Sequence, residues 1–348
     1  PVTQLLVEDG RVAGARVERE GTPVEVRARR GVVLACGGFP HDIERRRQLF
    51  PHAPTGREHH SPSPPSNVGE GLRLGESLGG YVDPTIPNAA AWVPTSVTTR
   101  SDGSQGVMPH FIDRAKPGVI AVTRQGRRFT NEGNSYHDFV QALVAACRDA
   151  GEPGEVSAWL VCDHRALRSY GLGCVAPFPM PIGRHLRSGY LKTGRTLAEL
   201  ARAIGVDAAT LEGTVTEFNR HAARGEDPQF GKGSKAYNRY QGDALLQPNP
   251  CVAPLEHAPF YAIKLVVGDI GTFAGLATDA HTRVLRRDGT PVPGLFAVGN
   301  DAASVMGGNY PGAGITLGPA LTFGYICGMH LAHAGPGIAA ESREAVPA

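Results

Sequence analysis

The sequence predicts an α/β protein in which one sheet-forming domain is interrupted by an inserted second domain. Three observations predict it. Short, continuously apolar strand patterns ending in glycine stand near both ends of the chain, at 32–38 and 294–300; the stretch between them is irregular; and a helix pattern follows at 316–333. Such runs are expected of strands buried on both faces, and sheet segments on either side of a dissimilar stretch point to an insertion. The boundaries read as 1–83 and 260–348 for the interrupted domain and 84–259 for the insert.

Taken in order, residues 2–36 read as strands: Leu5, Leu6 and Val7, the turn dipeptide Asp9-Gly10, a second run from Val12 to Val17, a charged turn at Glu20-Gly21, and a third run through Val24 and Val26. Asp-Gly between alternating segments is a hairpin signal. The run 32–36 reads as a central strand, with the hairpins peripheral. Residues 51–68 are rich in Pro and Ser and aperiodic, which predicts a surface loop. A helix over 69–78 turns Leu72, Leu74 and Leu78 inward and stops at Gly79-Gly80. From 84 to 259 the pattern gives several loops and two helices, 137–149 and 196–222, the latter broken at Gly205. The polar, Gly-rich stretch 225–249 reads as a loop or lid. Strand character returns at 261–267, 282–285 and 294–300. The last helix carries Pro319 in its first turn, where a missing N–H costs nothing.

Composition narrows the function. Among 348 residues there are 45 Gly and 28 Pro without a G-X-Y period, which argues against a disordered or fibrous chain. The length is enough for two domains with a core. The net charge of +2, from 35 basic and 33 acidic side chains, leaves no electrostatic footprint for nucleic acid or an anionic membrane, so the expected partner is a small molecule. Six cysteines stand far apart with no C-x-x-C pair. That predicts neither a metal site nor a disulfide scaffold, and a reducing, cytoplasmic compartment. No run approaches the roughly 18 apolar residues of a membrane span. The chain enters a strand pattern directly from Pro1, which predicts that something precedes it, any targeting signal included.

Two glycine patterns approach a dinucleotide fingerprint, Gly69-x-Gly71-x-x-x-Gly75 and Gly312-x-Gly314-x-x-x-Gly318. Neither opens a βαβ unit with an acidic residue about 20 positions on. The segment 299–318, GNDAASVMGGNYPGAGITLG, is more informative. It follows a strand and feeds a helix, so its glycines allow close backbone approach and the N–H groups of Gly314 to Leu317 can stabilise negative charge on a ring or an enolate oxygen. A turn that only packs strand to helix is the alternative. His59-His60 and His164 read as solvated loop residues, and Arg127-Arg128 as partners of carboxylates such as Glu132.

The residues 294–300 (GLFAVGN) and 310–325 (YPGAGITLGPALTFGY) resemble the C-terminal flavin segment of the 3-ketosteroid dehydrogenases, within the wider fumarate reductase-like FAD flavoproteins. Further stretches agree in order. Leu34 to Phe39 is similar to the family's returning strand, Asn67 to Gly71 to its T-G-D-G helix start, Gly126 to Glu132 to its G-K-R-F-x-N-E turn, and Phe218-Asn219 with Asp227 to Gly231 to the Y-N…D-x-x-F-G of its cap. The resemblance covers nearly the whole chain. It implies a Rossmann-like FAD-binding domain, truncated at its N-terminus so that its first strand and G-x-G-x-x-G loop are absent, and interrupted by a substrate-binding cap.

The resemblance also implies roles. Tyr310 and the N–H of Gly314 polarise a ring ketone, Tyr136 takes a proton from the adjacent carbon, and flavin N5 accepts hydride from the next. Gly37, Gly38, Gly299, Asn300, Gly314, Ile315, Thr316 and Leu317 hold FAD, and Tyr170 is a spare candidate for the base. The substrate implied is a small hydrophobic ketone, steroids included, with an electron acceptor left open. In fumarate reductases arginines occupy the positions of Tyr136 and Tyr310. A dicarboxylate needs fixed cations, ideally forked guanidiniums, which phenols do not supply. A reductase of another activated C=C bond and a non-catalytic fragment of such an enzyme stand as alternatives.

Overall fold

The computed structural model describes residues 1–100, 102–151 and 154–333. Residues 334–348, which the third segment of the domain reading includes, lie outside the described residues. The chain forms two compact units, one of residues 1–45, 63–91 and 271 onward, the other of 46–62 and 92–270.

In the first unit, Val2–Glu8, Arg11–Arg19 and Thr22–Arg27 make an antiparallel three-stranded meander. Both of its turns, Asp9-Gly10 and Glu20-Gly21, hold two successive residues at positive φ. That is the hairpin geometry whose twist matches the flanking strands. Leu5 and Val12 point inward and are buried, while Val24 and Val26 remain exposed. A second sheet sets Val32–Leu34 parallel to Pro291–Ala297, with Leu295 opposite Val32 and Ala297 opposite Leu34; Arg283–Leu285 pairs antiparallel on the far side. The central placement expected of 32–36 is therefore corrected. Among the described residues its regular part is three residues long, lies at the sheet edge, and leaves Val33 38% exposed. The helix Glu70–Glu76 buries Leu72 and Leu74 as its pattern requires, and Leu317–His333 closes the unit.

The second unit corrects a larger expectation. Five strands within 84–259, a stretch read as loops and two helices, join Phe260–Thr272, read as a strand over 261–267, in a six-stranded sheet of order Gln105–Pro109, Ala90–Thr99, Phe260–Thr272, Ser157–Cys162, Val119–Thr123, with Lys192–Gly194 also paired to Phe260–Thr272. The predicted helices appear as Tyr136–Asp149, Leu197–Ile204 and Ala208–Ala222. Gly205, at φ +71, ends the second of these with a left-handed cap. Leu200, Ile204, Leu211, Val215 and Phe218 from the helix pair pack on Ile120, Val122, Val161 and Ala262 of the strands in one core.

Two stretches read as loops, 51–68 and 225–249, are irregular over most of their length as expected, but parts of both are buried and tied down. Within 46–62, Phe50, His52 and His59 pack with Trp92 in an aromatic cluster. His59 is buried, with Nε2 2.7 Å from Asp269 Oδ2 and Nδ1 2.9 Å from His52 Nε2. Burial lowers the pKa of both histidines despite that carboxylate, so His59 is a neutral interior residue and not a solvated one. The segment 225–249 is no lid: Asp227, Lys232, Asn238, Gln241 and Asn249 are buried, and Asn249 Nδ2 donates to Gly225 O and Lys232 O. Each polar side chain satisfies main chain that would otherwise be stranded. Among the described residues no helix is long and apolar enough to cross a membrane, and no cluster of metal-ligating side chains occurs.

Candidate active site

In the first unit the parallel pair of strands ends at one edge, so Gly37-Gly38 and Gly299-Asn300 leave the sheet together; open α/β sheets place their ligands at the carboxyl ends of strands. Val298 N–H donates to Leu34 O at 3.0 Å and carries the pairing to that edge. Asp301, which sequence reasoning passed over, locks the two loops. Its fully buried carboxylate accepts from Cys36 N–H at 2.5 Å and Gly38 N–H at 2.9 Å. Burial raises the Asp301 carboxyl above the ordinary range, although those two N–H groups oppose the shift. Partial desolvation of its sulfur and the adjoining Asp301 push the thiol of Cys36, otherwise an exposed residue, up to about 11. The only signal for Asp301 in the sequence is an acidic residue directly after a strand-ending Gly-Asn pair.

Glycine at 38 is a requirement of space. A Cβ there would stand 2.1 Å from Thr272 Oγ1. Glycines 71 and 75 are likewise packing residues, facing Asp301 and Leu276. The pattern that begins at Gly69 thus seats a helix and cradles no phosphate. Gly314 differs: its φ is +88° and the space where a Cβ would stand is open. There the backbone itself forms the surface.

The structure brings most of the proposed cofactor residues together. Gly299, Asn300, Ile315 and Thr316 line one small cavity with Thr272, Phe273 and Pro319. Beside it a cleft of about 510 Å³ is bounded by Met306, Pro311, Gly314, Ile315 and Phe323. Both lie where the loop enters the 17-residue helix Leu317–His333, whose N-terminal end favours negative charge. The loop is pinned along its length: Ser304 N–H donates to Phe273 O at 2.8 Å, Ala303 N–H to Leu276 O at 2.9 Å, and Asn88 Nδ2 to Gly308 O at 2.9 Å. Tyr310 follows, half-buried. An apolar cleft floored by glycine backbone beside a helix N-terminus fits a planar, electron-accepting ring. Leu317 begins that helix and is exposed, while Gly37 and Gly38 stand at the strand edge and line neither hollow.

Tyr136 belongs to the other unit. It is the first residue of Tyr136–Asp149, 8% exposed, behind the N-cap Ser135, whose side chain accepts from Asp138 N–H. The turn before it is fixed by buried charge. Arg128 forks to Glu132 through Nε and Nη2, both at 2.8 Å, and to Asp227 at 2.8 and 2.9 Å. The pairing expected for Arg128 and Glu132 is thus present, with Asp227 as a third member. Tyr170, the spare base, is unsuited to that role. Its hydroxyl donates to Asp243 Oδ2 at 2.7 Å, and burial together with that carboxylate drives its pKa upward. Tyr170→Phe is expected to leave turnover within about twofold of wild type in a steady-state assay, since a phenol held protonated cannot act as base.

Comparison with known proteins places this architecture. The FAD binding domain family matches residues 1–317. The chain is 45% identical over 333 residues to 4-oxocyclohex-2-ene-1-carboxylate 5-dehydrogenase of Sinomonas cyclohexanicum, covering 95% of this chain and 56% of that protein. It is 39% identical over 339 residues to 3-oxosteroid 1-dehydrogenase of Mycobacterium tuberculosis, covering 95% and 58%. Among solved structures, 3-ketosteroid Δ1-dehydrogenase from Sterolibacterium denitrificans in complex with 1,4-androstadiene-3,17-dione superposes with a TM-score of 0.87 at 39% identity, covering 95% of this chain and 59% of that one. The chain spans less than two thirds of the length of each. With a parallel strand edge, a glycine-floored cleft and a family match over most of its length, the chain belongs to the FAD binding domain family, and the cofactor of that family is FAD.

Proposed function

We propose that the protein is an FAD-dependent dehydrogenase that introduces a C=C bond beside the ketone of a six-membered ring. The observation that carries the reading is the pinned loop that presents Tyr310 and the open backbone of Gly314 at the start of Leu317–His333. FAD, when bound against Gly299, Asn300, Ile315 and Thr316, supplies the two-electron acceptor.

The chain's own residues do the rest. Tyr310 O–H and Gly314 N–H donate to the ketone oxygen, and the charge that grows there as the α-carbon loses its proton is what such donors stabilise. Tyr136 takes that proton. A phenol with an ordinary pKa near 10 is a weak base at neutral pH, so the ketone must be polarised and the phenolate favoured. The second unit is the substrate cap in this reading, because it carries Tyr136. Tyrosines at 136 and 310 put phenols where forked cations would hold a dicarboxylate, which weighs against the reductase alternative.

A ring ketone is the feature shared by the names of all three relatives, two concerned with oxosteroids and one with an oxocyclohexene carboxylate. The test is anaerobic flavin bleaching of the full-length protein with 4-androstene-3,17-dione, 4-oxocyclohexanecarboxylate and succinate. Bleaching by at least one ring ketone and not by succinate is the expected result. Bleaching by succinate alone, or by none of the three, overturns the proposal.

A further inference from the structure

Arg114 heads the fully buried side chains by size, and its hydrogen bonds are unusual for a cation. All five end on main-chain carbonyl oxygens. Nε donates to His110 O at 3.1 Å; Nη1 donates to Glu132 O at 2.7 Å and Asn134 O at 3.3 Å; Nη2 donates to Phe111 O at 3.1 Å and Asn134 O at 3.3 Å. The neighbouring carboxylates are engaged elsewhere. Asp113 Oδ2 lies 2.6 Å from His110 Nδ1 and accepts from Gly173 N–H, while Glu132 is forked by Arg128.

These contacts surround the start of the helix that carries Tyr136. Glu132 and Asn134 belong to the turn that runs into Ser135 and Tyr136. The Phe111 ring meets the Tyr136 ring edge-on with centroids 5.2 Å apart, and the guanidinium lies 4.9 Å over Phe139, one turn further along the same helix. Arg114 therefore ties the main chain of His110 and Phe111, whose ring packs on Tyr136, to that of Glu132 and Asn134, which leads into Tyr136. The charged and titratable groups around it include Asp113, Glu132, Tyr237 and Tyr136, with His110 on Asp113 and Arg128 on Glu132. Burial draws Arg114 down to about 10, while the first four act electrostatically to raise it. The coupling is mutual: a positive charge that tyrosinate would stabilise itself stabilises tyrosinate.

We propose that Arg114 is a positioning residue for proton abstraction, fixing Tyr136 through the carbonyls of Phe111, Glu132 and Asn134 and supplying the standing positive charge against which that phenol releases its proton. This rests on reading Tyr136 as the base. Arginine suits the task because its planar fork holds several carbonyls at once, which a single ammonium group does not.

The experiment is the pH profile of kcat for the full-length, flavin-loaded enzyme with a ring ketone, in wild type, Arg114→Gln, Arg114→Lys and Tyr136→Phe. Arg114→Gln is expected to lose about tenfold or more in kcat at neutral pH. Its acid limb should move up by about one pH unit or more, so that rate returns as pH rises. A purely structural role lowers kcat equally at every pH; that result, with flavin content intact, overturns the proposal. Should Arg114→Gln fail to fold, Arg114→Lys decides. It keeps the charge but cannot reach all three carbonyls, so a severalfold fall in kcat with unchanged KM supports positioning, and wild-type kcat overturns it. Full activity in Tyr136→Phe overturns the assignment of the base itself, a failure distinct from that of Arg114.

Discussion

Tyr310→Phe is expected to lower kcat on a ring ketone by about 10²–10³-fold, the loss that follows removal of one preorganised donor to a developing oxyanion. The substitution keeps the ring and removes one hydroxyl, so packing is preserved and the change is in charge stabilisation. Its effect should fall on kcat and on the rate of anaerobic flavin reduction alike, with KM nearly constant, because a neutral ketone gains less from the hydrogen bond than the enolate that follows it. In the proposed site Gly314 would supply the remaining donor through its backbone, which no side-chain substitution removes, so measurable turnover should survive. A rise in KM at unchanged kcat would instead make Tyr310 a ground-state binding residue. Stopped-flow reduction with one ring ketone, in wild type and variant, separates the two outcomes.

Legibility in the sequence followed the range of the interaction. The turns Asp9-Gly10 and Glu20-Gly21, the helix break at Gly205 and the glycine-ended strand at 294–300 are local, and local residue chemistry identifies them. The pairing of Arg128 with Glu132 spans four positions and was also readable. Of the six-stranded sheet only the strand Phe260–Thr272 was. The other strands stand far apart in sequence, and Ala90 to Ser96 are buried without alternation, so no period-2 signal marks them. His59 was misread for the same reason: the partner that makes it an interior residue, Asp269, is 210 positions away. Asp301 likewise acts on Cys36 and Gly38 across more than 260 positions. The site residues that resemblance supplied came as a set of motifs. What holds them in place came from contacts no local pattern encodes.

Arg128→Met is expected to destabilise the fold by about 3–5 kcal/mol, the cost of removing one partner from a buried ion cluster. Arg128, Glu132 and Asp227 are all buried, and Lys232 lies 3.9 Å from Glu132 Oε2. Two cations face two carboxylates in wild type; in the variant Lys232 alone faces both. Burial by itself would raise Glu132 and Asp227, yet Arg128 and Lys232 outweigh it and hold both below the ordinary carboxylate range. Their contribution is therefore complete above the unfolded value of about 4 and is lost only as pH falls through the depressed folded values. Without Arg128 burial prevails, the folded values rise above the unfolded ones, and the sign reverses: the variant gains stability as pH falls from 7 toward 5, where wild type is level or loses it. Urea melts of both proteins at pH 7 and pH 5 read this directly. The deficit should be largest at pH 7 and shrink at pH 5, and an equal deficit at both values would mean that Arg128 contributes packing rather than charge. Because the same cluster sets the turn from Glu132 to Ser135, loss of the cation should also lower kcat in whatever fraction remains folded, by loosening the start of the helix that carries Tyr136.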